Sequence, residues 1–394
     1  MSEKTPSARE NRKDEHIQAV RQMPENHSTG FEDVVLVPES ASEVDWDDIH
    51  LETDLLGRTL ASPIIINAMT GGTAQAERIN ARLARAARRH GLAMAVGSET
   101  AALKNPRLAS TYTVVRDENP HGIVLANVGM GTDVEHAQAA IDLIQADFLQ
   151  VHWNTAQELF MHEGDRQFRG LLERLRVVAD HVSVPVIAKE IGQGMTGAAA
   201  SRFVAFGARG IDVGGRGGTN FIAVESWRRG QIVDADWETW GLRTAESLLE
   251  VVHSVPAEVA VIASGGIRSG HDVAKSLAIG ATAVGIAGPL LRLAADGDDD
   301  GLHRYIEELH LTLKRLMVLV GVTRVDQLQK RPVVIRGAVH DWLESRGFED
   351  ILPRLARRAA DQHPPSHESC QCKLAPARDR VTPSARASSD HDSQ

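Results

Sequence analysis

Short apolar runs alternate with segments of helical periodicity along most of the chain. Val134, Ala137, Ile141 and Ile144 recur at steps of three and four, which is the spacing of one face of an α-helix. Apolar runs of four or five residues separate such segments and predict buried strands. Eight runs of this kind occur, at residues 63–67, 92–96, 122–126, 148–151, 184–188, 210–213, 259–263 and 283–286.

This alternation predicts an α/β fold with a parallel sheet, and eight units in one domain predict a closed (β/α)₈ (TIM) barrel. A doubly wound open sheet is the alternative. Glycines at 129–131 and 214–218 do not match the dinucleotide-binding fingerprint, which needs a strand–turn–helix setting. We expect a polar N-terminal arm at residues 1–45, the barrel at 46–350, and a polar, disordered tail at 351–394.

Composition excludes several classes of protein. The chain has 394 residues, a hydrophobic content of 42% and a formal net charge of −10, which argues against non-specific nucleic-acid binding. Apolar stretches fall short of the ~18–20 residues of a membrane span, and no secretory signal opens the chain. The cysteines, Cys370 and Cys372, both lie in the polar tail, which excludes a disulfide framework. These properties predict a cytoplasmic protein without nucleic-acid or membrane partners.

Polar residues gather where the fourth apolar run ends. His152, Asn154, Gln157 and Glu158 follow one another within about two turns of a helix, and together they can donate protons, accept hydrogen bonds and bind a hard cation. Such a density of polar groups costs free energy unless water, a ligand or a metal meets it. The carboxyl ends of barrel strands are where such folds place their chemistry. The alternative is a loop entering a helix, with Asn154 or Thr155 as its N-cap.

Glycine-rich turns after the last two runs predict a phosphate site. Gly265 and Gly266 follow the seventh run, Ala287 and Gly288 follow the eighth, and both turns open a helix. Backbone N–H groups and helix N-termini favour an anion, and these two loops form the usual phosphate position of the barrel. The alternative is that the glycines serve only tight turns.

The neighbouring strand ends suit a planar heterocycle, and flavin mononucleotide (FMN) provides both a ring and a phosphate. Lys189 is the informative residue, because a cation beside the N1–C2 edge stabilises an anionic reduced flavin. The alternative interpretation of Lys189 is a surface residue in an ion pair with Glu190. The strand-end residues proposed to face the ring are Ala68, Met69, Thr70, Ser98, Asn127, Lys189 and Thr219.

On these motifs the chain resembles the type 2, flavin-dependent isopentenyl-diphosphate delta-isomerase family. The glycine loops are shared with other FMN barrels, such as the 2-hydroxy-acid oxidases and IMP dehydrogenases. The 152–158 motif and the Arg12-Lys13 pair are not shared, so they carry the resemblance. The matching segments are residues 12–16 (Arg12-Lys13-Asp14-Glu15-His16), 67–72, 152–158, 163–166, 189–190 and 212–221, with the glycine loops.

The resemblance implies an enzyme of isoprenoid biosynthesis that interconverts isopentenyl and dimethylallyl diphosphate with FMN, Mg²⁺ and NADPH as the reductant. Glu158 would bind Mg²⁺, and one carboxylate suffices when substrate phosphate and water complete the coordination. The implied substrate contacts are Arg12, Lys13, His16, His152, Asn154 and Gln157. The implied FMN contacts are Ala68, Met69, Thr70, Ser98, Asn127, Lys189, Thr219, Gly265, Gly266, Ala287 and Gly288. Without the resemblance, we would interpret residues 12–16 as a solvated segment of mixed charge.

Moving a double bond requires a proton to be added at one end of an allyl system and removed at the other. Unrelated metal-dependent isomerases use a Cys–Glu pair for this, but both cysteines here lie in the tail. We therefore expect reduced flavin to be the acid/base catalyst, with proton delivery from N5. Gln157, His152 and Lys189 form the expected catalytic set. Because an amide is a poor base, Gln157 is expected to position the alkene.

Three residues depart from the family pattern: Glu99 stands where Gln is common, His162 where Pro is common, and Gln193 in a loop that is usually more apolar. Glu99 puts the substrate contact of its loop in doubt.

Two other functions stay open. One is an FMN oxidoreductase of the 2-hydroxy-acid or dihydroorotate type, using His152 and Arg216. The other is a flavin- or prenyl-diphosphate-binding protein without catalysis.

Barrel enzymes of this kind often assemble, and the resemblance implies a homo-oligomer, either a tetramer or an octamer. The Trp-rich stretch near Trp227, Trp237 and Trp240 is a candidate interface.

Overall fold

The computed structural model of the chain describes residues 8–23 and 28–358, with side chains from Lys13 onward. A closed barrel of eight parallel strands, β4 to β11, forms its centre. The strands are β1 (Val34–Leu36), β2 (Thr53–Leu55), β3 (Arg58–Leu60), β4 (Ile64–Ile66), β5 (Ala93–Ala95), β6 (Val124–Gly129), β7 (Phe148–Trp153), β8 (Val186–Glu190), β9 (Gly210–Asp212), β10 (Ala260–Ser264), β11 (Ala283–Ile286) and β12 (Val333–Ile335). All eight apolar runs are barrel strands, so the (β/α)₈ prediction is confirmed and the open sheet is wrong.

Alternating side chains of these strands belong to two separate apolar clusters, as the period of two in a strand requires. Ile65 and Phe148 belong to the smaller cluster, which fills the barrel, while Ile64 and Ile66 join the larger cluster between strands and helices. Leu55 and Leu60 of the β2–β3 hairpin also join the smaller cluster. The hairpin therefore helps to close the interior at the amino ends of the strands, leaving the carboxyl ends for the site.

The helices that surround the barrel follow the predicted rhythm, and α5 coincides with the segment predicted from its spacing. They are α1 (Ala8–Gln22), α2 (Ala74–His90), α3 (Thr100–Lys104), α4 (Ser110–Glu118), α5 (Val134–Ile144), α6 (Thr155–Phe160), α7 (Leu171–His181), α8 (Gly197–Ala205), α9 (Phe221–Arg228), α10 (Ala235–Glu238), α11 (Thr244–Val252), α12 (Gly270–Ile279), α13 (Gly288–Asp296), α14 (Asp299–Leu319), α15 (Val325–Leu328), α16 (Gly337–Ser345) and α17 (Ile351–Ala356). Among the described residues, no helix has the length and apolar character needed to cross a membrane.

Caps explain where several of these helices begin. The Ser269 hydroxyl accepts from the backbone N–H of Asp272, whose carboxylate accepts from the N–H of Ser269 in return. This reciprocal capping box fixes the start of α12 directly after the seventh strand–helix loop. Asn220 likewise caps α9, accepting from the N–H groups of Ile222 and Ala223. Both caps place a helix N-terminus at the carboxyl end of the barrel.

The predicted N-terminal arm contains helix α1, which packs against α9 and α13. Ile17 and Ala19 are buried in this contact. The Thr73 hydroxyl donates to Asp14 at 2.8 Å, and Arg228 donates to Glu15 at 2.7 Å. The predicted boundaries at 45 and 350 stay predictions. The predicted disorder of the tail at 351–394 is wrong for its first residues, because Ile351–Ala356 forms helix α17 and buries the apolar side chains of Ile351 and Leu355. The tail beyond residue 358 lies outside the described part.

Candidate functional site

Two adjoining cavities open at the carboxyl end of the barrel, with volumes of about 390 Å³ and 160 Å³. We call the larger the polar cavity and the smaller the glycine cavity. Both are lined by Lys13 and His16 of α1 and by Lys189 at the end of β8. The N-terminal helix therefore forms part of the wall of both cavities.

The predicted site residues divide between these cavities. Those of the polar cavity are Ser98, Asn127, His152, Asn154, Gln157 and Glu158. Those of the glycine cavity are Thr70, Thr219, Gly265, Gly266, Ala287 and Gly288. Ala68, Met69, Lys13, His16 and Lys189 line both. The side chain of Arg12 lies outside the described part of the chain. The structure thus brings together every predicted site residue whose side chain it describes, although their roles stay predictions.

The glycine cavity has a backbone cradle built from the loops after β9 and β10. Gly265 and Gly266 have φ angles of 109° and 71°, a backbone conformation that residues with a Cβ atom rarely adopt. A Cβ at Gly265 would lie 2.0 Å from the carbonyl oxygen of Gly215, and one at Gly266 would lie 2.1 Å from that of Gly217. The glycines are therefore needed for the close packing of two loops, and the same packing shapes the cradle beside α12 and α13.

Apolar side chains form much of the remaining wall, which suits a flat ring. The Thr70 hydroxyl is buried and, in the described part of the chain, has no hydrogen-bond partner. A buried hydroxyl of this kind is normally satisfied, so a bound polar group fits its environment. Glycine cradle, apolar wall and buried donor together match FMN. The apolar wall residues are Ile17, Val20, Met69, Ile191, Ile267 and Leu291.

Lys189 points into the barrel and not toward Glu190. Its Nζ donates to Oδ2 of the fully buried Asp212 at 2.8 Å. The Glu190 carboxylate instead accepts from the backbone N–H groups of Gln193 at 2.6 Å and Gly194 at 3.1 Å. Burial raises the pKa of Glu190 to about 8, although these backbone donors oppose the shift. The surface ion pair considered from the sequence is therefore absent from the described structure.

The 152–158 cluster spans the end of β7 and the first turns of α6. Asn154 occupies the N-cap position, but its side chain makes no capping hydrogen bond. Its amide donates instead to Glu158 Oε1 at 2.8 Å and to Gln157 Oε1 at 3.3 Å. Asn154 is therefore the N-cap residue by position, as the alternative interpretation expected, but its side chain does not cap the helix. The side chain arranges two neighbours that line the polar cavity.

His152 is oriented by Asn127, whose Oδ1 lies 2.7 Å from the imidazole Nδ1. An amide oxygen only accepts, so Nδ1 carries the proton when the ring is neutral. Burial, with smaller effects of the Lys13 and Lys189 charges, lowers the pKa of His152 to about 3. A neutral imidazole with Nε2 as an acceptor is therefore present near pH 7. An anionic ligand would offset the two lysines and favour the imidazolium.

Glu225 on α9 is a functional candidate that the sequence motifs missed. Its Oε1 accepts from Gln157 Nε2 at 2.8 Å and lies 2.9 Å from His16 Nε2, while Oε2 accepts from Arg228. Burial alone would raise its pKa, but the hydrogen bonds from His16 and Gln157 lead the opposing effects that hold it at about 2. Glu225 is thus a buried carboxylate behind Gln157. Its one sequence signal is an acidic residue directly after an apolar stretch, 221–224.

Glu99 is fully buried and lines neither cavity. Its Oε2 accepts from the backbone N–H of Asn127 at 2.9 Å, and its own N–H donates to the carbonyl of Asn127 at 2.9 Å. Burial raises the pKa of Glu99 well above its usual range. Glu99 therefore supports the strand that carries Asn127, and it adds no charge to the cavity surface.

We expect the Glu99→Gln variant to be more stable than the parent protein at pH 8, with a difference that shrinks toward pH 4. The raised pKa means that the folded chain keeps a proton which the unfolded chain loses above about pH 4.3. Stability from this group is fully present below that pH and is lost as the pH rises through the folded-state pKa. Each unit of pKa difference is worth about 1.4 kcal/mol. Thermal unfolding between pH 4 and 9 measures the effect.

Glu258→Gln, which changes an exposed carboxylate, is the control and should follow the parent curve at every pH. Parallel curves for Glu99→Gln and the parent would show that Glu99 is ionised in the folded protein.

Comparison with known proteins agrees with this geometry. A relative from Geobacillus sp. is 46% identical over 343 residues, 87% of this chain and 98% of its own, and is named isopentenyl-diphosphate delta-isomerase. The chain belongs to the isopentenyl-diphosphate delta-isomerase family. Relatives with the same name include one from Moorella thermoacetica, 46% identical over 88% of this chain and 99% of its own, and one from Methanothermobacter thermautotrophicus, 41% identical over 84% of this chain and 93% of its own.

Part of the chain also matches a family named for its use of FMN. Residues 142–335 match the FMN-dependent dehydrogenase family. Among solved structures, a mandelate oxidase with an FMN adduct has a TM-score of 0.59 at 22% identity, covering 82% of this chain and 92% of its own. A lactate oxidase from Pediococcus acidilactici has a TM-score of 0.59 at 18% identity, covering 82% and 87%. At these identities the structural likeness shows the barrel fold alone. This isopentenyl-diphosphate delta-isomerase family member therefore shares its scaffold with flavin oxidases.

Proposed function

We propose that the protein is an FMN-dependent isopentenyl-diphosphate delta-isomerase of isoprenoid biosynthesis, interconverting isopentenyl and dimethylallyl diphosphate. The observation that carries the proposal is the junction of two cavities at Lys189. One cavity has the glycine cradle, and the other has the polar 152–158 cluster. The names of relatives that are more than 40% identical support the substrate.

In this proposal the glycine cavity holds FMN. Gly265, Gly266, Ala287 and Gly288 would hold its phosphate, since their loops precede the N-termini of α12 and α13. Reduced FMN supplies, when bound, an acid/base group and an electron-rich ring. Lys189 would hold a positive charge at the ring edge. The other ring contacts would be Ala68, Met69, Thr70 and Thr219, with Ser98 and Asn127 reaching the ring from the adjoining polar cavity.

The substrate would occupy the polar cavity. Lys13 and the neutral His16 and His152 line it, and Lys189, Arg169 and Arg174 add further cations to the same wall, so a diphosphate would meet several charged donors and two imidazoles there. Arg12, at the start of the same segment, is proposed as a further contact. Glu158 would bind Mg²⁺ jointly with diphosphate oxygens and water, which is a common magnesium arrangement.

Gln157 would position the alkene. Its Nε2 is held by Glu225 and its Oε1 by Asn154, so the amide has one fixed orientation at the cavity wall. Glu225 places a buried negative charge behind it, which favours a cation-like allyl system in the cavity. Helix α1 forms part of the wall of both cavities and would help to exclude water from the reacting carbons.

We also propose NADPH as the reductant, a homo-oligomeric assembly of four or eight subunits, and a cytoplasmic location. The exposed aromatic side chains Trp227, Trp237 and Trp240 support a contact surface. The cysteines of the sequence are Cys370 and Cys372, and so sparse a content supports a reducing compartment.

The test is an omission series under anaerobic conditions. The protein is incubated with isopentenyl diphosphate, FMN, Mg²⁺ and NADPH, and each component is left out in turn. Dimethylallyl diphosphate should form at full rate in the complete mixture alone, and D₂O should label both isomers. Product formed without FMN, or without deuterium after full turnover, contradicts the proposal.

The match to FMN-dependent dehydrogenases over residues 142–335 favours an oxidoreductase of the 2-hydroxy-acid or dihydroorotate type as the second candidate. Such an enzyme needs a base and a cation that binds a carboxylate, for which His152 and Arg216 were considered. His152 lines the polar cavity, but Arg216 lines neither cavity and donates to the carbonyl of Gly241 at 3.2 Å. Bleaching of the flavin by a 2-hydroxy acid or dihydroorotate would favour this candidate.

A further inference from the structure

Asp212 is a fully buried carboxylate at the end of β9. It accepts hydrogen bonds from Lys189 Nζ and Asn67 Nδ2, both at 2.8 Å, and from the Ser264 hydroxyl. Gln150 Nε2 lies 3.5 Å from the same carboxylate. These four donors come from four different strands or strand ends around the barrel. The carboxylate is therefore the point at which the polar interior of the barrel converges.

The four donors differ in charge: three of them are neutral and one is positively charged. Asn67, Ser264 and Gln150 are neutral and fix the carboxylate in place, whereas Lys189 brings a positive charge. Buried charges need a partner, and here the carboxylate and ammonium form a pair that is neutral overall. An ammonium has three donors, of which Asp212 takes one. Lys189 thus keeps donors for the cavities it lines.

Other titratable groups surround this pair. Lys13 and His16 of α1 line both cavities, and His152 lies beside Lys189 on the neighbouring strand β7. Glu190, next in sequence, directs its carboxylate to backbone N–H groups. Asp212 is the carboxylate that contacts the Lys189 ammonium directly.

We propose that Asp212 is a positioning residue that pairs with the Lys189 ammonium and aims it at the flavin, and thereby favours the anionic form of reduced FMN at N1. The inference rests on the proposed FMN site. Without Asp212 the ammonium loses its counter-ion and the contact that fixes its direction. An ammonium that no longer faces the ring edge stabilises an anionic ring far less, so N1 would keep its proton to higher pH.

The test is a spectroscopic titration of the holoprotein. FMN-loaded parent and variants are reduced with dithionite, and the absorbance change between neutral and anionic reduced flavin is followed from pH 5 to 10. Lys189→Met should raise the proton affinity of N1 about tenfold or more. Asp212→Asn and Asp212→Ser should shift it in the same direction. The double variant Asp212→Asn/Lys189→Met should shift it no further than Lys189→Met, because Asp212 acts through Lys189.

Two neutral replacements of different size guard against a variant that fails to fold, and bound FMN together with circular dichroism reports the folding of each. Glu250→Gln is the matched control, because Glu250 is also a buried carboxylate paired with a cation, Arg346, but lines neither cavity, so N1 should keep its parent value. If Lys189→Met shifts N1 and neither Asp212 variant does, the inference is overturned. Additive shifts in the double variant overturn it as well. A parent protein that does not retain FMN overturns the proposed function itself, which is a separate result.

Discussion

Glu225→Gln should lower kcat for isopentenyl diphosphate by about 100-fold, while FMN binding stays at the parent level. The change keeps the size of the side chain and removes a buried negative charge. Glu225 accepts from Gln157, His16 and Arg228, so an amide nitrogen placed there would face at least one donor. The Gln157 amide would then lose its fixed orientation.

Loss of orientation and loss of charge act on the same step in this variant. An anion behind Gln157 favours positive charge in the allyl system, and such stabilisation matters most in the transition state. We therefore expect the main loss in kcat and a smaller change in KM. Since the pKa of Glu225 is held at about 2, the parent enzyme should show no titration of this group in its rate between pH 5 and 9.

Glu15→Gln is a matched control for this prediction. Glu15 also pairs with Arg228, at 2.7 Å, but its side chain is 45% exposed, whereas that of Glu225 is buried, and it belongs to the arm. Removing its charge should leave kcat within about threefold of the parent value, as for most surface ion pairs. Equal losses in the two variants would mean that the position of Arg228 matters and that the charge behind Gln157 does not.

The fold was predictable from the sequence because its signals are local. A run such as 184–188 is apolar at every position, which a strand buried on both faces requires. Val134 to Ile144 repeats at helical spacing, and the observed α5 has the same limits. Counting strands then placed Lys189 and the 152–158 cluster at one end of the barrel. Parallel strands fix this result, since all their carboxyl ends share one side.

The partners of the site residues were not predictable, because they come from distant parts of the chain. Gln157 and Glu225 are 68 residues apart, and Lys189 and Asp212 are 23 apart. Strand order tells which ends are neighbours, but rotamers and burial decide which side chains touch. Glu190 illustrates this limit. Its carboxylate accepts a hydrogen bond from the backbone N–H of Gln193, and Lys189 pairs with Asp212 instead. The hydrophobic periodicity of the sequence does not indicate which of these side chains become partners.

Glu158→Gln should raise the Mg²⁺ concentration needed for half-maximal activity by at least about tenfold and lower kcat/KM by about 100-fold. The parent Glu158 accepts from Asn154 at 2.8 Å and from the backbone N–H of Asp165 at 2.8 Å. These two donors orient the carboxylate and leave lone pairs for a cation. An amide in its place offers one weaker oxygen ligand and no charge. Activity measured across a Mg²⁺ series gives both quantities.

Glu163→Gln is the matched control, because Glu163 lies in the following loop, is about half exposed, and does not line the polar cavity. Its Mg²⁺ curve should overlay that of the parent. The visible absorbance of bound FMN should be unchanged in both variants, since neither residue lines the glycine cavity.

An unchanged Mg²⁺ requirement in Glu158→Gln would mean that another residue binds the metal. Asp165, which also lines the polar cavity, would then be the carboxylate to replace. The substrate would still bind at the 152–158 cluster, but Glu158 would serve only to hold Asn154.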